Sequence, residues 1–142
     1  MWAGTYGAHG IEIVRLSAAP AGDRLVAVKL TGDLSVPAGE TTFEILLHTS
    51  LPDGVGSEFK LPRDFSSDVE FAPESARLVP EEKLPGRARI AMLGFNSPSW
   101  TPAELLAFSE DCFGLVWTGI QQFSVFCRLA LDGAPRPVGA PC

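Results

Sequence analysis

Runs of Val, Ile, Leu, Phe and Thr of strand length recur along the chain between clusters of Gly, Pro, Asp and Asn. Such runs predict β-strands: Trp2–Thr5, Gly10–Leu16, Leu25–Thr31, Thr41–His48, Arg87–Met92, Glu104–Phe108, Gly114–Ile120 and Gln122–Leu131. Alternation is visible within them. Ile11, Ile13 and Arg15 share one face of their strand, opposite Glu12, Val14 and Leu16. Phe123, Val125, Cys127 and Leu129 oppose Ser124, Phe126 and Arg128, so both faces of that strand carry apolar groups, as in a closed or covered sheet. One helical turn is expected to compete with the strands. Thr101, with Pro102 first and Glu104 third, forms a capping-box pattern. The expected fold class is mainly β, an antiparallel β-barrel-like domain over residues 1–142 with one long irregular crossover loop.

That crossover is Leu51–Gly86. It holds Pro52, Pro62, Pro73, Pro80 and Pro85 among scattered charges, and a connection of this length inside a compact domain is unusual. Phe59, Leu61, Phe65, Val69, Phe71, Leu78 and Val79 supply apolar groups to lay it on the barrel, with one short strand expected near Val69–Phe71. Across the chain, twelve prolines and fourteen glycines disfavour long helices.

Charge narrows the partners. Eleven basic against seventeen acidic residues give a net charge of −6, which argues against nucleic acid, since phosphate binding depends on Lys/Arg clusters. No run reaches the roughly 20 apolar residues of a membrane-spanning helix, and the first ten residues lack the basic and apolar regions of a secretory signal. An intracellular protein without a membrane partner is expected. Cys112, Cys127 and Cys142 are odd in number and show no CxxC spacing, which predicts free thiols and neither a disulfide framework nor a zinc site.

Chemistry-bearing residues are sparse. His9, Glu12 and Asp33 could form a metal or acid–base constellation, but no spacing signature accompanies them. Ser97-Pro98 and Thr101-Pro102 read as loop formers before they read as phosphorylation sites. The glycines Gly4, Gly7 and Gly10 do not open a helix after a strand, so no phosphate loop is expected. No catalytic residue, metal or cofactor is predicted, and the chain does not read as an enzyme. Lys29 and Asp33 stand four residues apart at a strand end. On spacing alone they are a surface lysine and a turn aspartate.

Ordered blocks change that reading. Trp2-Ala3-Gly4-Thr5-Tyr6-Gly7-Ala8-His9-Gly10-Ile11-Glu12-Ile13, Lys29-Leu30-Thr31-Gly32-Asp33 with Val36-Pro37-Ala38-Gly39-Glu40, Gly94-Phe95-Asn96-Ser97-Pro98 with Thr101-Pro102, Glu110-Asp111-Cys112-Phe113-Gly114-Leu115-Val116-Trp117 and Phe123-Ser124-Val125-Phe126-Cys127-Arg128 keep one order over nearly the whole chain. Together they resemble the C-terminal domain of the F-box only protein 31 family and its plant and algal relatives, and are similar to segments of the plastid EXECUTER proteins. Two positions depart from the pattern: Cys112 stands where the family has a basic residue, and Trp100 replaces a polar one.

The resemblance implies a binding module for the C-terminal tails of client proteins, including C-terminal amides and cyclin-D-type degrons, within an SCF-type ubiquitin ligase. Lys29 and Asp33, with Thr31 assisting, match the positions that hold the chain end, and Tyr6, His9 and Trp117 are candidate pocket walls. An ammonium can donate to terminal oxygens, and a carboxylate can accept from a terminal amide while repelling a free acid. No F-box is expected within the chain, because Trp2 already opens the domain, so Skp1 and cullin would join only through an F-box outside it. The alternatives are an EXECUTER-like stress-signalling interaction domain in the plastid, and a barrel-mouth small-molecule binder or enzyme. The first reading places the protein in the cytoplasm or nucleus.

Overall fold

The computed structural model describes residues 1–6, 9–50 and 80–130. They form eight strands: β1 (Trp2–Thr5), β2 (Ile11–Ala18), β3 (Arg24–Lys29), β4 (Thr41–Leu46), β5 (Glu82–Met92), β6 (Asn96–Ser109), β7 (Cys112–Trp117) and β8 (Gln122–Arg128). Each pairs antiparallel with its sequence neighbour, and β8 returns to pair with β1, closing the barrel. Among the described residues every strand has a paired neighbour on both sides, which limits edge-to-edge recruitment of another chain. Among the described residues there is no α-helix.

Alternation decides what fills the interior. On β2 the inward face is Glu12 and Val14, while Ile11 is left 73% exposed. On β8 the inward face is Ser124 and Phe126. Eight strands enclose a space that side chains can just fill. Phe43, Phe113 and Phe126 meet at its centre, with Phe113 and Phe126 stacked at 4.8 Å between centroids. Small residues on facing strands, Ala27, Ala88 and Ala103, leave room for these rings. A bulge adds a polar group: Ala27 pairs with Phe43 and Val28 with Thr41, so Thr42 has no partner and is buried beside the core.

Four expectations are corrected. The helical turn at Thr101 is absent, because Thr101, Pro102 and Glu104 lie in the middle of β6, all three paired with β5 and Glu104 also with β7. A local cap contributes about 1 kcal/mol, less than two ladders of cross-strand pairs. The same strand takes in Ser97-Pro98, expected as a loop. The crossover ends earlier than expected, since β5 begins at Glu82 and Leu84 is buried in the core. Gly86, which reads as a loop glycine, is in β5 because a Cβ there would lie 2.2 Å from the Glu44 carbonyl oxygen. Cys127 is disulfide-bonded, against the expectation of free thiols; such pairing depends on the separation of Cβ atoms, which spacing along the chain does not report. Cys112 is buried, and burial pushes its thiol pKa up to about 11. The strand expected near Val69–Phe71 lies outside the described residues.

Truncating the stacked core separates packing from surface patterning. Phe126→Ala is expected to lose about 3–5 kcal/mol of stability. Ile11→Ser, on the outer face, should change it by about 0.5 kcal/mol or less. Urea unfolding of both variants measures the contrast.

Candidate functional site

Antiparallel order brings the ends of β1, β3, β5 and β7 and the starts of the even strands to one rim of the barrel. A pocket of about 220 Å³ opens there, lined by Tyr6, His9, Lys29, Asp33, Val36, Thr42, Arg89, Ile90, Ala91, Trp117, Ile120 and Gln122. Its floor is a charge inside the barrel. Lys29 is the last residue of β3 and points inward, 1% exposed.

Two carboxylates meet that charge. The Lys29 ammonium donates to Asp33 Oδ2, lies 3.8 Å from Glu12 Oε1 and sits 4.5 Å from the centroid of the Tyr6 ring. Both carboxylates are held in place. Thr31 donates to Glu12 Oε2 at 2.7 Å, and its own oxygen accepts from the Ile13 amide at 2.7 Å. Asp33 Oδ1 accepts from the amides of Ser35 and Val36 at 2.6 and 2.7 Å, which fixes the turn after β3. Tyr6 completes the floor with a hydrogen bond between its hydroxyl and Thr42 Oγ1 at 3.0 Å.

The loop that carries Asp33 is anchored through its backbone. Lys29 N donates to the Glu40 carbonyl at 3.0 Å and Gly39 N donates to the Lys29 carbonyl at 2.9 Å, closing residues 30–38 into a compact excursion. Gly32 lets that excursion fold tightly, because a Cβ there would lie 2.3 Å from the Ala38 amide nitrogen. Gly94, in the turn between β5 and β6, donates to the Leu34 carbonyl at 2.7 Å and ties the loop to that turn on the same rim. Around it stand exposed apolar side chains: Leu34, Met92 and Leu93 at 65–76% exposure, and Ile120 at 48%.

Electrostatics follow from the packing. Burial works against the charge of Asp33, but the Lys29 ammonium and the amides of Val36 and Ser35 outweigh it and hold the carboxyl below the usual carboxylate range. Burial pushes the Tyr6 phenol well above its usual range, so it stays neutral and polar at the pocket floor.

Of the residues singled out in the sequence, Lys29, Asp33, Tyr6, His9 and Trp117 all line the pocket. Tyr6 and Trp117 are buried and meet edge to face at 5.3 Å, whereas His9 is exposed at the rim. Thr31 is not in the lining; it is exposed and steadies Glu12 from outside. Glu12 and Asp33 converge on Lys29 rather than on a metal site, and among the described residues no three of His, Cys, Asp and Glu are grouped to hold a metal ion. Sequence reasoning missed Thr42, which a bulge turns inward, and Arg89, which no motif marked.

The described residues thus form a closed barrel with a charged, apolar-rimmed pocket at its mouth. Residues 1–133 match the Cyclin D1 binding domain family, and the chain belongs to it. It is similar to F-box only protein 31 of Rattus norvegicus, 28% identical over 91% of this chain and 38% of that protein, and to the Homo sapiens protein of the same name, 26% identical over 91% and 39%. A plant relative, Protein EXECUTER 2, chloroplastic, of Oryza sativa subsp. japonica, is 37% identical over 58% of this chain and 11% of its own length. The chain thus spans about two fifths of the length of the F-box relatives it matches. Among the described residues no helix is long and apolar enough to cross a membrane.

Breaking the charge cluster has a defined consequence. Lys29→Met leaves two buried carboxylates without a countercharge and is expected to cost about 3–5 kcal/mol. Removing all three charges together (Glu12→Gln, Lys29→Met, Asp33→Asn) should regain much of that loss. The pH dependence follows from the sign of the Asp33 shift. Its folded pKa is depressed below the unfolded value near ~3.9, so its stabilising contribution is complete above that pH and is lost as pH falls through the lower folded value. Thermal midpoints between pH 2 and 6 check this, with Asp33→Asn expected to flatten the acid limb.

Proposed function

We propose that the barrel mouth captures the C-terminal end of a client protein, and that the chain is a substrate-binding part of an SCF-type ubiquitin ligase. Skp1 and cullin would join through an F-box outside these residues. The reading makes the chain a binding module and not a catalyst, in line with the relatives being named F-box proteins and the family a binding domain.

The observation that carries the proposal is the Asp33 carboxylate, which is fixed by two amides, held in its charged form and part of the pocket wall. Asp33 Oδ1 already accepts from two amides, but Oδ2 accepts only from Lys29 and keeps a second lone pair, so Asp33 can accept from a ligand N–H while keeping its bonds to Lys29 and the turn. A terminal amide supplies that N–H. A terminal carboxylate supplies none and meets like charge in a low-dielectric pocket. Lys29 then acts chiefly by keeping Asp33 ionised, because its ammonium already faces Asp33, Glu12 and the Tyr6 ring. The exposed side chains of Leu34, Met92, Leu93 and Ile120 offer contact area to the apolar residues before the chain end.

A second reading follows from the rice relative, whose identity of 37% exceeds that of the F-box proteins over a shorter stretch. There the barrel is an interaction domain of plastid stress signalling and takes no chain end. The two readings part on one titration. Matched peptides ending in amide or acid are titrated calorimetrically against the wild type and Asp33→Asn. The chain-end reading expects the wild type to prefer the amide by about tenfold or more, some 1.4 kcal/mol, and Asp33→Asn to lose most of that preference. Negligible binding of every peptide by the wild type would rule out chain-end capture and favour the second reading.

A further inference from the structure

The charged groups at the pocket floor are already engaged with one another. Lys29 donates to Asp33 and faces Glu12, and the Tyr6 hydroxyl is bonded to Thr42. Arg89 is turned to the outer wall, its guanidinium carbon 4.4 Å from the centroid of the Trp100 ring, and His9 is exposed at the rim. Gln122, at the start of β8, is a lining residue of a different kind. It carries no charge, and among the described residues its side-chain amide makes no hydrogen bond.

Strand alternation aims Gln122 into the barrel. It shares the inward face of β8 with the buried Ser124 and Phe126. Its direct cross-strand partner is Trp117, which follows Phe113 and Leu115 on the inward face of β7. The two form the last pair before the β7–β8 turn, so they stand side by side at the mouth. The turn beyond them is fixed. Thr118 donates to the Pro102 carbonyl from both N and Oγ1, at 3.1 and 2.9 Å, and Ile120 N donates to the Trp117 carbonyl at 3.2 Å. Gln121 completes the turn in the left-handed conformation, with φ at 52°. Trp117 is itself held edge to face against Tyr6. The wall beside Gln122 is therefore set before a ligand arrives, and a ligand has only the glutamine side chain to order.

We infer that Gln122 is a specificity-determining residue of this pocket and donates from its side-chain amide to the carbonyl oxygen of the ligand's terminal group; this rests on the chain-end reading above. Asp33 then accepts from the terminal N–H while Gln122 serves the oxygen, so the two read both halves of a primary amide. The neutrality of the glutamine matters as much as its donor. A cation at this position would give a free carboxylate a countercharge and offset its repulsion by Asp33. Glutamine bonds the oxygen without offsetting any charge, so the discrimination set by Asp33 is kept.

The test titrates peptides of one sequence, ending in a primary amide, the matching thioamide or a free acid, against wild type, Gln122→Leu and Gln122→Lys. Sulfur is the weaker acceptor, so wild type is expected to favour the amide over the thioamide. Gln122→Leu should bind the amide peptide about tenfold more weakly and lose the preference for oxygen over sulfur. Its thermal midpoint should hold, because no hydrogen bond of Gln122 among the described residues is removed. Gln122→Lys should narrow the amide-over-acid ratio by about tenfold or more. Gln122→Leu binding the amide as tightly as wild type, or weakening amide and thioamide equally, overturns the inference and leaves chain-end capture standing. An unchanged amide-over-acid ratio in Gln122→Lys does the same. Failure of the wild type to bind either amide or acid peptides overturns both.

Discussion

An ammonium sealed inside a β-barrel must have its charge met on the spot, and the mouth of this barrel is built around that requirement. Transfer of a lone lysine charge from water into such an interior costs several kcal/mol. Glu12 comes from the neighbouring strand and Asp33 from the loop that follows Lys29 itself, so the two nearest pieces of chain supply the countercharges. Thr31 then serves Glu12, and the amides of Ser35 and Val36 serve Asp33. Each bond fixes another element of the rim. The cluster anchors the loop after β3 and explains why Asp33 keeps its charge next to an apolar core.

The aromatic core below supplies the stiffness that this cluster needs. Phe43, Phe113 and Phe126 fill the barrel and Tyr6 packs edge to face on Phe126 at 5.6 Å, so the ring that floors the pocket cannot shift without repacking the centre. Closure between β1 and β8 adds a geometric constraint, because a closed ladder fixes strand tilt and stagger together. The rim positions therefore inherit their separations from the whole barrel rather than from any one loop. That is the property a pocket needs if it is to distinguish chain ends that differ by a single group.

Much of the barrel was legible in the sequence because apolar alternation and turn residues are local signals. All eight strands are present near their expected places, although β5 and β6 begin five and eight residues earlier than expected, at Glu82 and Asn96. The Thr101 cap pattern misled for the same reason: a cap is read from four residues, whereas pairing with β5 and β7 is a property of the sheet. Pro85 and Gly86 misled in the opposite direction, since the need for a glycine beside Glu44 is visible only once β4 and β5 are side by side. At the site, Lys29 and Asp33 were marked by their motif, but not the burial that makes them a cluster. Glu12 looked like half of a metal site with His9 until the alternation of β2 turned it toward Lys29. Arg89 carried no signal at all. Its pairing with Trp100 is set by the register of β5 against β6.

The central claim is that Asp33, charged and held by Lys29, receives the end of a bound chain. A crystal structure of the protein with a peptide ending in a primary amide tests it most directly. The account predicts the terminal nitrogen within hydrogen-bond distance of the Asp33 carboxylate, with the Lys29–Asp33 contact intact and the preceding residues lying across Leu34, Met92 and Ile120. A peptide bound elsewhere on the barrel, or seated in the pocket with its terminus turned away from Asp33, would contradict it.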